Sequence, residues 1–466
     1  MAHDEHGAAV EERPEPHEGA TIEARYGIDE MPPLGEAMAL GLQHVLVMMA
    51  SNVTIPIILA TAIGATTGET TFLVQVALLV AGLTTLIQTF GIGPIGARLP
   101  IVQGTSFGFL VVSVPLAQDY GLGAVFGGAL FAGLVQVALG FSLRWLKVLF
   151  PPLVSGIVVL VIGIGLLPTG MELFGGGAGA EDFGSATNLG LATFVLAVLL
   201  VTYRYGRGIL SAAAVLVALV IGYLVAIPAG KVDFSEVRDA DWFAVPMPLE
   251  FGLDFPAAAL VAMGAMAIAT SVETIGDLSA ITKSGAGRQV KDRELTGGVL
   301  ADGVATAFAS LFSALPNTTF GQNVGLVAFT GVMSRHVVSV GAGFLILLGL
   351  VPKLAAVIAV MPSAVLGGAA VVMFGMLLGA GIKLLADAPL DRHDLLVIAV
   401  SIGVGQGFAA IPEVTEIMPE TIEVLMTSGI VPATVIAVIM NLVRPRAETG
   451  GRIDVDHSLS EEGAAH

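Results

Sequence analysis

Twelve stretches of this chain are each apolar over about the 20 residues that a helix needs to cross a bilayer, and that limits what it can fold into. They lie near 36–60, 71–93, 122–142, 149–168, 188–203, 209–227, 256–280, 296–313, 336–350, 356–380, 394–410 and 427–443. Of 466 residues, 55% are hydrophobic and only 12% charged, against roughly 25% charged in soluble domains. Within hydrocarbon the backbone must satisfy its own polar groups, so windows of this length read as helices. The 59 glycines fit, because small residues let membrane helices approach closely. The expected class is an all-α polytopic membrane protein. Cysteine is absent, so there is no disulfide framework and no thiol chemistry. The net charge is −18, and without a basic stripe a nucleic-acid partner is excluded.

Two further segments, about 101–117 and 317–333, are apolar but short and rich in Gly, Ser, Thr, Gln and Asn, which brings the count to fourteen. Placing the N-terminus in the cytoplasm puts Arg98, Arg204, Arg207, Lys283, Arg288, Lys291, Arg293, Arg335, Lys383 and Arg392 on the inner side, with Arg13, Arg25, Arg144, Lys147, Arg444, Arg446 and Arg452. Only Lys231, Arg238 and Lys353 fall outside. So strong a positive-inside bias predicts an even number of spans with both termini cytoplasmic in the plasma membrane. The polar residues 1–34 and 445–466 read as cytoplasmic tails, the first disordered and without a cleaved signal peptide.

The two broken segments match. One opens Leu99-Pro100 and continues through Gln103-Gly104-Thr105-Ser106-Phe107; the other opens Leu315-Pro316 and continues through Thr318-Thr319-Phe320-Gly321-Gln322-Asn323. Each is the third segment of its half. Seven segments per half is odd, so the second half, 256–444, is predicted to be inverted relative to the first, 35–228, with 229–255 an external linker. Interrupted segments at matching places in inverted repeats point to a binding site near the membrane midplane.

Polar groups at membrane depth face an interior cavity or a substrate path more often than lipid. Glu273 and Asp277 are spaced i, i+4 and share one helix face. Such a pair suits binding a polar ring with one member and relaying a proton with the other. Asp277 reads equally as a solvated helix end, six residues before Lys283. Gln322 and Asn323 donate and accept together, which suits the mixed edge of a neutral ring, or glue between helices. Gly321 and Gly325 allow close backbone approach. His44, after Gln43, is a relay candidate or a fixed hydrogen-bond partner. Asp302 is expected to pair with His44 or a hydroxyl. Phe107 suits stacking on a flat ligand, or plain core packing.

Taken in order, these residues resemble the nucleobase–ascorbate transporter family, nucleobase:cation symporter family 2. Its signature is met by Gln322, Asn323, Gly325, Thr330 and Gly331. Gln43-His44, Gly104-Thr105-Ser106-Phe107, the Glu273 to Gly276-Asp277 element and Ala301-Asp302-Gly303 complete the pattern over about 35–445. The resemblance implies a transporter rather than an enzyme, with no cofactor or metal. It implies fourteen segments in a seven-plus-seven inverted repeat, with short strands before the half-helices of segments 3 and 10. Segments 1–4 and 8–11 would form a core domain and 5–7 and 12–14 a gate domain, joined as a homodimer and working as an elevator. By the same carry-over Glu273 and Gln322 bond the base. Ser106, Phe107, Gly321 and Asn323 line its site, while His44, Asp277, Asp302, Gln43 and Thr330 support it or handle the proton.

Within the family, Gln at 322 and Asp at 277 resemble the purine carriers rather than uracil carriers. Val324 departs from xanthine and urate carriers that hold a second Asn there. The expectation is uptake of xanthine or uric acid by proton symport, with a uracil permease as the alternative. A sulfate-type anion transporter fits less well, because Glu273 is a poor companion for a dianion. Ile275-Gly276-Asp277 resembles an intramembrane aspartyl protease only in part, since Thr274 stands where that pattern has glycine.

Overall fold

Every one of the apolar windows meets a helix in the computed structural model, which describes residues 25–143, 151–386 and 390–443. The first half runs α1 (Leu34–Ala62), α2 (Thr67–Phe90), β1 (Gln103–Thr105), α3 (Phe107–Tyr120), α4 (Leu122–Phe141), α5 (Pro152–Phe174), α6 (Ala186–Tyr205), α7 (Ile209–Ala212) and α8 (Ala214–Ala226). A short α9 (Ser235–Asp239) sits in the connection to α10 (Ala257–Ala286), α11 (Asp292–Leu311), β2 (Asn317–Thr319) and α12 (Gly321–Thr330). Then come α13 (Arg335–Gly349), α14 (Pro352–Ala359), α15 (Ser363–Ala386), α16 (Arg392–Ala410), a 3-10 turn at Pro412–Thr415, α17 (Glu420–Thr427) and α18 (Ile430–Leu442).

Among the described residues, eight helices are long and apolar enough to cross a bilayer: α1, α2, α4, α5, α6, α10, α15 and α16. A ninth results if α13 and α14, bent by 82° at their junction, form one span. The remaining segments are shorter (α3, α8, α12, α18) or, in α11, carry Asp292, Arg293, Glu294 and Asp302. The chain is an all-α membrane protein with a single two-strand sheet among its described residues.

The window at 356–380 needs correction. It straddles the end of α14 at Ala359 and the start of α15 at Ser363. Pro362 lies in the gap; proline lacks an N–H and disfavours helix in the residue before it. Pro352 acts likewise at the α13–α14 bend, where Val351 has φ −114 and ψ 87.

Packing comes in corresponding pairs. α2 packs on α13 as α11 packs on α4; α1 packs on α13 as α10 packs on α4; α5 packs on α15. The α4–α11 crossing is close enough to require glycine on both sides. A Cβ on Gly303 would lie 2.6 Å from Val137 N and 2.7 Å from Gly133 O, and one on Gly133 would lie 2.6 Å from Gly303 O.

Part of the expected disordered tail is ordered. Residues 1–24 and 444–466 lie outside the described residues, as do Arg144, Lys147 and the start of the 149–168 window. Residues 25–33, however, run beside the chain that follows α12. Arg25 N donates to Gly331 O at 2.7 Å, Met333 N to Tyr26 O at 2.9 Å and Arg335 N to Ile28 O at 3.0 Å. Tyr26 packs with Val332 and Val337, and Arg335 Nε donates to Asp29 Oδ1 at 2.7 Å. Backbone pairing and these apolar contacts offset the ordering entropy that a polar tail leaves uncompensated. The linker is likewise tied down: Ala244 N donates to Leu350 O at 3.2 Å, Leu249 N to Leu311 O at 2.9 Å and Asp254 N to Gly123 O at 2.9 Å.

Candidate functional site

The Leu-Pro pairs keep their segments extended, because proline neither donates nor lets its predecessor turn helical. β1 and β2 then pair antiparallel, with Gln103 opposite Thr319, Gly104 opposite Thr318 and Thr105 opposite Asn317. Ser106 N to Pro316 O at 2.9 Å and Phe320 N to Val102 O at 3.0 Å extend the ladder at both ends. All six strand residues are buried. α3 and α12 leave opposite ends of this sheet. Each contributes the unpaired N–H groups and partial positive charge of a helix N-terminus.

Buried side chains on surrounding helices hold the sheet. Asn52 Oδ1 of α1 accepts from Thr105 N at 2.8 Å, and its Nδ2 donates to Ala77 O at 3.2 Å. Thr85 of α2 accepts from Gln103 N at 2.9 Å. Thr306 of α11 donates to Asn317 O at 3.1 Å. Asp302, wholly buried on α11, accepts from the Gln103 amide through Oδ1 and from the Thr274 hydroxyl through Oδ2. Its partners are thus a hydroxyl and an amide. His44, the other expected partner, is taken by Asn323 instead. Asn323 Nδ2 lies 3.0 Å from His44 Nδ1 and 3.1 Å from His44 O. A carbonyl only accepts, so that atom is the amide nitrogen, and Nδ1 accepts as well.

A second group of side chains faces more open space. Asp277 Oδ2 accepts from Thr319 Oγ1 at 2.7 Å, in a helix that continues to Ala286. A Cβ on Gly321 would stand 2.8 Å from Asp277 Oδ1, so glycine at the start of α12 brings its backbone against that carboxylate. Glu273, one turn earlier on the same face of α10, is half-buried, and Gln322 is exposed. Neither hydrogen-bonds any described residue. Ser106 Oγ and Asn323 Oδ1 are buried and have no partner among the described residues. The half-buried Phe107 ring meets Phe374 of α15 edge to face, 5.6 Å between centroids and 85° between planes. Gln43 is half-buried beside His44. Thr330 sits apart: it donates to Leu326 O at 2.9 Å and accepts from Val332 N at 3.3 Å. With Gly331 left-handed at φ 67, it ends α12. Gly325 is exposed, with nothing near where a Cβ would be.

Residues 35–414 match the model of a family described as "Permease family", the xanthine/uracil permeases. The chain belongs to this family. The family read from the motifs and the family found are the same. This permease is 35% identical over 433 residues to the xanthine permease of Bacillus subtilis, covering 92% of the chain and 99% of that protein. It is 38% identical over 409 residues to the uric acid permease PucK of the same organism, covering 87% and 95%. Its fold is similar to the transmembrane domain of the cyanobacterial bicarbonate transporter BicA, with a TM-score of 0.53 over 87% of this chain and 97% of that one. At 16% identity that likeness concerns the fold alone.

Sequence reading of this permease missed Asn52, Thr85, Thr274 and Thr306, which fix the sheet and Asp302. The cost of a polar group at membrane depth, which singled out Glu273, applies to the Asn52 amide too. Replacing Asn52 with leucine leaves Thr105 N–H unpaired in the interior, at a cost of about 1–3 kcal/mol. The expected result is a lower thermal unfolding midpoint for the purified protein. A wild-type midpoint would mean that β1 does not depend on this amide.

Proposed function

We propose that the chain is a secondary active transporter that takes up a purine nucleobase, xanthine or uric acid, by proton symport. The observation that carries this reading is the unpaired polar pair by the start of α12. Glu273 and Gln322 hydrogen-bond no described residue, where Asp277 meets Gly321. A carboxylate and an amide there offer acceptors and donors to the edge of a purine. The names of the xanthine and uric acid permeases to which the chain is similar favour the same substrate class.

In this reading Glu273 and Gln322 bond the base, backbone groups of Phe107 and Gly321 complete its contacts, and the Phe107 ring lies against it. Ser106 and Asn323 line the site with their unpartnered oxygens. Asp277 and Asp302 handle the proton, and His44 orients Asn323. Gln43 and Thr330 are supporting residues. The corresponding packing pairs in the two halves fit a seven-plus-seven inverted repeat over 35–228 and 256–444, fourteen segments in all, with 229–255 outside. Segments 1–4 and 8–11 form the core and the others the gate, so the Phe107–Phe374 contact crosses between them. Core moves against gate as an elevator. α6 and α16, with only 28% and 22% of their apolar windows buried, leave gate surface for lipid and for a second copy in a homodimer. Both termini are cytoplasmic, in the plasma membrane.

The test is uptake of radiolabelled xanthine into proteoliposomes under an imposed inward proton gradient. Gradient-dependent uptake, competed by urate and not by uracil, is expected. Competition by uracil alone would move the chain to the uracil permeases. Absence of uptake of any base would favour an anion substrate, as in the bicarbonate transporter of similar fold.

A further inference from the structure

Two hydroxyls connect the carboxylates of the site. Thr319 Oγ1 donates to Asp277 Oδ2 at 2.7 Å, the Thr319 and Thr274 hydroxyl oxygens are 3.4 Å apart, and Thr274 donates to Asp302 Oδ2. The run begins at half-buried Asp277, against Gly321, and ends at Asp302. Thr274 and Asp302 are 0% exposed and Thr319 only 2%, so protein groups and not open solvent bridge the gap. Each hydroxyl is donor and acceptor at once, as a relay requires. Among the described residues, the charged groups facing this run are the carboxylates themselves, Glu273 and Asp277 on α10 and Asp302 on α11. β1, β2 and α12 present amides and hydroxyls.

The inner end has a second feature. Gln103 Nε2 donates to Asp302 Oδ1, while Gln103 Oε1 is buried and has no partner among the described residues. An ionised Asp302 needs donors, and the Nε2 group is one. A protonated Asp302 carries its proton on Oδ2, where the Thr274 hydroxyl that delivered it accepts in turn, while Oδ1 remains an acceptor for Nε2. One orientation of the glutamine therefore serves either state of the acid.

We propose that a proton received by Asp277 passes through the hydroxyls of Thr319 and Thr274 to Oδ2 of Asp302, whose other oxygen Gln103 holds through its amide N–H. This rests on the proton-symport reading above. Once Asp277 carries the proton, the Thr319 hydroxyl turns from donating to it to accepting from it, and the Asp277 O–H bond breaks as one forms to Thr319 Oγ1. The proton of Thr319 moves to Thr274, and that of Thr274 to Asp302 Oδ2. Both threonines end as hydroxyls and one proton has moved. Gln103 opens β1, which runs directly into Ser106 and Phe107, so the acid that receives the proton is tied through one side chain to the start of α3.

Two assays on the same proteoliposomes test this: xanthine exchange without a gradient, and xanthine accumulation driven by an inward proton gradient. Thr319→Val and Thr274→Val are each expected to lower accumulation relative to exchange by about 10-fold or more, the scale of a lost proton-transfer group. Thr319→Ser and Thr274→Ser restore the ratio. Valine variants with a wild-type ratio overturn the relay, as does equal loss of both activities that serine does not rescue. A wild-type protein indifferent to the gradient removes the symport reading first and the relay with it, a separate result. Infrared spectroscopy tests the hold of Gln103 on that acid directly. A carboxylic-acid C=O band absent in Asp302→Asn is expected to move to higher wavenumber in Gln103→Leu. A band that stays in place overturns the role of Gln103.

Discussion

Glu273→Gln is expected to lower xanthine uptake by about 100-fold, the largest effect of any single change on transport. The substitution keeps shape and volume, removes the charge and turns one acceptor into a donor. A hydrogen bond to a charged group contributes about 1.5–3 kcal/mol, and each 1.36 kcal/mol is about tenfold. Glu273 makes no hydrogen bond to a described residue and holds no helix or strand in place, so its loss falls on the ligand and not on the fold. The thermal unfolding midpoint of the ligand-free variant should therefore match the wild type while uptake collapses and xanthine no longer raises the midpoint. Unchanged uptake would move the substrate away from α10. A fall in midpoint equal to that of Asn52→Leu would give Glu273 a structural role instead.

The contrast between Glu273 and Asn52 shows which parts of this molecule are visible in its sequence. Hydrophobic length is a strong signal, because a polar backbone in lipid has few ways to satisfy itself, and each apolar window meets a helix. Proline is visible where it opens a polar segment, as at Leu99-Pro100 and Leu315-Pro316. It is hidden where apolar residues surround it, as at Pro362, since summed hydropathy does not register one missing N–H. Carboxylates stand out because their burial is so costly. Hydroxyls do not. Thr84 and Thr85 are neighbours in α2, yet Thr84 donates to Val80 O of its own helix at 2.8 Å while Thr85 holds β1. Thr282 donates to Leu278 O at 2.9 Å, while Thr274, earlier in the same helix, reaches Asp302. A threonine in a membrane helix can satisfy itself locally, so only the fold tells which one is used at a distance. The ordered strap at 25–33 escaped notice for a related reason. Its pairing is with a backbone three hundred residues away, and no local pattern records that.

Gly303→Leu is expected to have the largest effect on folding. At the α4–α11 crossing the two nearest atoms that a Cβ would meet are Val137 N and Gly133 O, both backbone, at 2.6 Å and 2.7 Å, with Val137 Cγ2 next at 2.8 Å. Overpacking a core of side chains costs about 1–3 kcal/mol, because side chains yield. Here a shift of the Val137 side chain does not relieve the two backbone contacts, so the helices themselves must part. Parting them also moves Asp302, the preceding residue, away from Gln103 and Thr274, and so loosens β1 as well. The purified variant should elute as aggregate in size-exclusion chromatography, or not accumulate in the membrane at all, and Gly303→Ala should show the same defect in milder form. Gly343→Ala is the matched control, in α13 with nothing within 4 Å of its added carbon; it should behave as wild type. If Gly303→Leu is monodisperse and transports, the two helices are not in backbone contact. The buried acid would then have to be held by Gln103 and Thr274 alone.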